Sequence, residues 1–199
     1  MEEEPLTKRR PALGCLLEVV ETLVLTIVIF VGIQVFVAQP YKVEQVSMEN
    51  SLMPGQYVLV DKLTPRWAPY SRGDIVVFDP PETWSPGGSV PFIKRVIGVP
   101  GDRIELRDGN VFVNDVKLQE PYVFEDRAVS RGTEPTPGGP TEWRVPAGDL
   151  FVMGDHRDES ADSRIFGPIA VGHVIGRAWL RYWPFDTFGI LPEPSYAGL

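Results

Sequence analysis

From Leu23 to Ala38 the chain reads LVLTIVIFVGIQVFVA, sixteen residues without a charge. No other stretch constrains the fold so strongly, because a run this apolar must be buried in a core or in a bilayer. Extended back to Leu13 it covers twenty-six residues, with Glu18 and Glu21 as its charged interruptions. A helix crossing a hydrocarbon layer needs about 20 residues at about 1.5 Å each, which the extended segment supplies. Glu18 and Glu21 are three apart and share one helix face near its start. There they snorkel toward headgroups or meet Lys8, Arg9 and Arg10. A core helix this apolar is out of proportion in so small a domain. A cleaved secretory signal also puts basic residues before an apolar run, but it needs small residues at its last and third-last positions. Here Phe36 stands two places before Ala38. The expectation is a retained single-pass anchor over 13–38 in the cell membrane, with 1–12 cytoplasmic. Basic residues flank its start, and Lys42 alone follows within fifteen residues of its end. Residues 39–199 are therefore expected on the extracytoplasmic side.

The rest of the chain reads as β-structure. Twenty prolines and nineteen glycines divide it into short runs. YVLVDKL (57–63), DIVVFDP (74–80) and FIKRVIGV (92–99) are rich in β-branched residues. RIELRDGNVFVND reads as a hairpin whose Asp108-Gly109 pair supplies positive φ angles, and DLFVMGD and HVIGRAWLRYWPF add strands. No ten-residue amphipathic helical pattern competes with them, and 80–91 and 131–142 read as loops. The expected fold class is mainly β, one domain over 39–199 on a single N-terminal transmembrane helix. The formal charge is −8, and residues 1–38 hold five acids and three bases, so −6 belongs to the β-rich part. That excludes nucleic acid as a partner, since it needs a basic face. Cys15 is the only cysteine, so neither an intrachain disulfide nor a cysteine-based metal site can form.

The stretch VEQVSMENSLMPGQ (43–56) holds Ser47 just beyond the apolar run. A serine in a turn ordinarily bonds its own backbone, and becomes a nucleophile only when a base takes its proton. The two histidines are poor candidates: His173, in VGHVIG, reads as a strand residue, and His156 as part of an exposed polar turn. No Gly-x-Ser-x-Gly elbow is present, and two histidines without neighbouring cysteines support no zinc site. Lysine remains. In PFIKRVIGV the alternation of a strand puts Phe92, Lys94 and Val96 on one face and Ile93, Arg95 and Ile97 on the other. Either face can be the buried one. Arginine cannot be deprotonated in a protein, whereas lysine shifts readily when removed from water. Lys94 is thus the base if buried, and an ordinary strand lysine if exposed. Moving a lysine from about 10.4 to about 7.4 costs roughly 4 kcal/mol, which the fold must supply. A third stretch, VMGDHRDESADSRIFGPI (152–169), gathers Asp155, Asp158, Glu159, Asp162, Arg157 and Arg164 around Ser160 and Ser163. It is either a solvated charge run or a held segment whose hydroxyl directs an amine, braced by Asp162 and Arg164.

Taken together these stretches resemble type I signal peptidase, the membrane-bound bacterial enzyme that removes signal peptides from exported proteins. SMENSL (47–52) is similar to the family's Ser-Met-x-Pro-Thr-Leu. RGDIVVF (72–78) and KRVIGVPGD (94–102) match the next two boxes. GDHRDESADSR (154–164) resembles Gly-Asp-Asn-Arg-Asp-Asn-Ser-x-Asp-Ser-Arg, and YWPF is similar to the family's ending. The resemblance implies a signal-peptidase-like β-domain and a serine endopeptidase acting on signal-peptide-bearing preproteins after Ala-x-Ala type sites. It implies Ser47 as nucleophile, Lys94 as general base, Ser160 as the serine that orients the amine, and Asp162 with Arg164 as its structural salt bridge. Val43, Met48 and Ile93 match residues lining shallow pockets for small side chains. No metal or cofactor is implied, and the lipid bilayer is a partner. Five departures stand out. Asn50 and Ser51 replace the usual proline and threonine, which predicts a less rigid turn. His156 and Glu159 replace asparagines. Gln45 stands where a serine often donates to the oxyanion, and its side-chain amide is the substitute donor. Two other functions compete. A self-cleaving Ser–Lys repressor would carry a DNA-binding helical module in place of the anchor. An anchored β-domain that binds exported chains without cutting them is separated by a cleavage assay.

Overall fold

The computed structural model describes residues 12–85, 87, 90–125, 132–194 and 196, so the basic cluster Lys8, Arg9 and Arg10 lies outside the described residues. The chain divides into two units, 1–37 and 38–199. In the first, α1 spans Ala12–Phe36. Its mean hydropathy is 2.4 over Gly14–Phe36, and none of that window is buried against protein. Its many valines and isoleucines are mediocre helix formers in water. In a bilayer no other single-segment arrangement satisfies every backbone polar group, so the helix is the form such a run takes. Thr22 and Thr26 return their hydroxyls to the carbonyls of Glu18 and Thr22, at 2.8 and 2.7 Å. The helix ends at Phe36, and Ala38, assigned to the anchor by its sequence, is the first residue of β1.

The second unit is built from antiparallel strands. β1 (Ala38–Lys42), β2 (Tyr57–Asp61), β3 (Ile75–Phe78), β4 (Phe92–Gly98), β5 (Arg103–Arg107) and β6 (Asn110–Val113) come first. β7 (Val116–Lys117), β8 (Glu142–Arg144), β9 (Asp149–Met153), β10 (Ile169–Ala170), β11 (Val174–Trp183) and β12 (Gly189–Ile190) follow. One sheet runs β1-β2-β11-β3-β4-β9-β10, with β12 also on β11; the other runs β7-β6-β5-β8. Pro40, which has no N–H to give to a ladder, sits on the edge strand β1, the place in a sheet where that omission is tolerated. The hairpin β5–β6 turns through Asp108 and Gly109 with φ of 50° and 71°, the mirror-image turn that matches strand twist. The fold is mainly β on one N-terminal helix, as the sequence predicts.

β4 lies between β3 and β9 and is covered on both faces, which the alternation of PFIKRVIGV left open. Ile93 joins the cluster around Val43, Met48 and Val77, while Ile97 joins that around Ile104 and Phe151. Phe92 and Val96 pack with Val76, Phe78 and Val152. Both basic residues of the strand are therefore removed from water: Lys94 is 1% exposed and Arg95 0%. His173 departs from its expected place in a strand. It ends a 3-10 turn, Val171–His173, and is exposed, because β11 begins only at Val174.

Candidate active site

Ser47 sits in the middle of a 3-10 turn, Val46–Met48, between the end of β1 and β2. Met48 closes the turn twice, its carbonyl accepting from the N–H groups of Ser51 (3.1 Å) and Leu52 (2.7 Å). Its own side chain is fully buried in the cluster beneath. Asn50 adopts φ 80°, a left-handed conformation that asparagine tolerates and that proline, locked near −65°, cannot reach. Its Nδ2 donates to the Tyr122 carbonyl at 3.0 Å, and Ser51 Oγ accepts from Arg95 Nη2 at 3.0 Å. The looser turn expected from the loss of proline and threonine is not found. Side-chain bonds fasten it in place of a ring.

Lys94 reaches this turn from β4 and donates from Nζ to Ser47 Oγ at 2.7 Å. Burial strips water from the ammonium and pushes the Lys94 pKa down to about 8, against the pull of Asp162 and Asp155 upward and with a smaller downward push from Arg164. Desolvation wins because the nearest carboxylates are engaged elsewhere. Asp162 accepts from Arg164 Nε and Nη2, both at 2.9 Å, and from the Gly154 N–H at 3.0 Å. Its burial opposes ionisation, yet those bonds hold its carboxyl below the usual range. Asp155 is taken up by Arg95 through two bonds, at 2.9 and 2.7 Å, with both side chains fully buried. The site thus holds two tightly paired arginine–carboxylate units around one lysine that is half neutral near pH 8.

Ser160 is buried, and its hydroxyl helps to hold the Asp162 carboxyl below the usual range. It lies beside the nucleophile turn: a Cβ added at Gly154 would collide with the Ser160 Oγ and with the Ser47 carbonyl oxygen. Asp162 caps α2 (Ser163–Phe166) by accepting from the Arg164 N–H, and Ser163 Oγ receives the Val152 N–H at 3.0 Å. The 152–169 stretch is therefore a held segment and not a solvated charge run. His156, expected to be solvent-exposed, is half-buried, because Phe124 packs on its ring. Beside the turn a cleft of about 290 Å³ is lined by Val43, Gln45, Val58, Val77, Pro91 and Ile93, among others. Met48 is absent from that lining. Gln45 precedes the 3-10 turn in an extended conformation, and its side chain makes no capping bond.

Sequence reasoning missed three partners in this constellation: Arg95 for Asp155, Glu120 for Arg157 and Glu49 for His156. They lie 60, 37 and 107 residues from those partners, so no local spacing reveals them. The one signal was the Lys94-Arg95 pair itself, since a strand buried on both faces must find an anion for its arginine.

A serine hydroxyl thus lies bonded to a buried amine whose pKa burial lowers, on a mainly β scaffold. Residues 16–183 match the family described as "Signal peptidase, peptidase S26", and the chain belongs to that family, whose members are serine peptidases. It is 34% identical over 197 residues to signal peptidase I of Leptolyngbya laminosa, covering 97% of this chain and 93% of that one. It is 35% identical over 190 residues to signal peptidase I of Bacillus licheniformis, covering 94% and 97%. Among solved structures, a signal peptidase I from Enterococcus faecalis matches with 30% identity and a TM-score of 0.42, over 55% of this chain and 97% of that one.

Proposed function

We propose that the chain is a membrane-bound endopeptidase that cleaves signal peptides from exported preproteins after small residues, using Ser47 and Lys94 as a dyad. The observation that carries this reading is the 2.7 Å bond between a serine hydroxyl and an amine that burial has made a weak base. Neutral Lys94 takes the Ser47 proton as Oγ attacks the scissile carbonyl. The protonated amine returns it to the leaving nitrogen, and water activated in the same way hydrolyses the acyl-enzyme. Ser160, a buried hydroxyl beside the nucleophile turn, is available to direct the amine, and Asp162 with Arg164 holds the loop that carries it. The donors assigned to the developing oxyanion are the Ser47 N–H and the Gln45 side-chain amide. Val43 and Ile93 wall the cleft that would take the small side chains before the cleaved bond, and Met48 packs in the same apolar cluster as support. The apolar helix anchors the chain with its N-terminus cytoplasmic and the β unit outside. Trp183 and Phe185, 46% and 75% exposed, suit the headgroup layer better than a β core.

The test is cleavage of a preprotein bearing an Ala-x-Ala site by the full chain in detergent, as a function of pH. Below about 8 Lys94 is mostly charged and cannot accept a proton. The rate is expected to rise about tenfold per pH unit through the acid limb and to level above about 8. A profile flat down to pH 5 would contradict a lysine base. No cleavage by folded wild-type protein would favour a binding module instead. Gln45→Ala is expected to lower kcat about a hundredfold, the effect of losing one oxyanion donor. Unchanged turnover in that variant would remove Gln45 from the role.

A further inference from the structure

The turn carrying Ser47 and the loop that follows β9 are joined by His156. Its backbone N–H donates to the Ser47 carbonyl oxygen at 3.0 Å, and its Nδ1 lies 2.9 Å from Glu49 Oε2. A carboxylate oxygen only accepts, so Nδ1 carries the proton in this bond. Phe124 packs on the imidazole with ring centroids 4.4 Å apart, and the Phe124 N–H is held by the Asp155 carbonyl at 2.9 Å. The side chains of His156 and Glu49 are 15% and 20% exposed, so the bond is shielded from most of the water that weakens surface pairs.

The placement of these bonds gives them a consequence for chemistry. One grips the carbonyl of Ser47 itself, and the other grips the side chain two residues later. Rotation of the turn about the Ser47 backbone breaks one or the other. The direction of Ser47 Oγ relative to the Lys94 amine depends on that rotation, and a displacement of about 1 Å can slow a reaction about a hundredfold. We propose that His156, clasped to Glu49, is a positioning residue that keeps the Ser47 hydroxyl aimed at the Lys94 amine. The inference rests on the dyad reading above. His156 takes no proton from the substrate or the nucleophile. The residue usual at this position in the resemblance, asparagine, has an amide N–H of similar reach, so it supplies the same donor to a carboxylate.

The experiment is steady-state cleavage of an Ala-x-Ala preprotein by the full chain in detergent, with thermal melting followed on each variant. His156→Ala and Glu49→Ala are each expected to lower kcat roughly tenfold to a hundredfold with KM within about twofold. The double variant falls no further than the worse single one, because one clasp is lost only once. His156→Asn regains most of the loss, coming within about threefold of wild type. The proposal is overturned if His156→Ala keeps the wild-type kcat, if the two losses multiply in the double variant, or if His156→Asn is as slow as His156→Ala. A drop confined to melting temperature or KM also overturns it, since that is the mark of a structural or substrate contact. Failure of folded wild type to cut would bring down the dyad reading, whereas a cutting wild type with an equally fast His156→Ala brings down the positioning role alone.

Discussion

Replacing Lys94 with methionine is expected to lower kcat for preprotein cleavage by about 10⁴-fold or more, with the β unit still folded. Methionine fills much of the space of the lysine stem and removes the amine proposed to accept the Ser47 proton. The fold gains nothing from the amine as a charge. Its pKa of about 8 in place of 10.5 means that below pH 8 the folded state bears a charging penalty of about 3 kcal/mol, relieved as pH rises from about 8 toward 10.5. Lys94→Met is therefore at least as stable as wild type at neutral pH. Lys94→Arg restores a cation but not a base, and is expected to be as inactive, because a guanidinium keeps its proton. Ser47→Ala should match these losses, and the Ser47→Ala, Lys94→Met pair should be no slower than either alone, since the two groups act as one unit. Single-turnover rates on the four proteins decide the matter. A Lys94→Met enzyme within tenfold of wild type would mean that another group removes the proton.

Asp155→Asn is expected to destabilise the β unit by about 3–5 kcal/mol, the largest effect on folding of any conservative change near the site. Arg95 is fully buried on β4, and its guanidinium is divided among Asp155, the Gly73 carbonyl at 2.8 Å and Ser51 Oγ. The Tyr122 ring covers it at 4.0 Å. Asparagine keeps the shape but leaves a cation without a counter-ion where water cannot reach it. Urea unfolding should show a lower midpoint with an unchanged slope. Arg95→Met with Asp155→Leu, which removes both charges, should recover much of the loss. A single variant within about 1 kcal/mol of wild type would show that solvent reaches the pair after unfolding only part of the loop.

Much of this was legible in the chain. The apolar run, the Pro and Gly punctuation and the Asp108-Gly109 turn each act through neighbours in sequence, and the helix, the strand positions and the hairpin follow from them. Ser47 and Lys94 were legible as chemical types, through elimination of the histidines and of arginine. Their approach to 2.7 Å was not, because it depends on β4 being covered on both faces, a property of the sheet order. The same limit hid the partners of Asp155, Arg157 and His156. It also misled the reading of Asn50, where the loss of proline suggests slack until the bond to the Tyr122 carbonyl is known. His173 was misplaced for a local reason: apolar alternation in VGHVIG continues across the 3-10 turn that precedes β11.

The left-handed backbone at Asn50 also bears on how portable this catalytic loop is between relatives. A peptide unit at φ 80° cannot receive proline, whose ring fixes φ near −65°, so an Asn50→Pro change would force the loop into a different trace. The carbonyls of Tyr122 and Val123 that now receive the amide would lose their donor at the same moment. Chimeras exchanging the Ser47 loop alone are thus expected to fail, and those that also carry residues 120–125 to work. The two segments are coupled through the Asn50 amide, so a change in either is expected to require a matching change in the other.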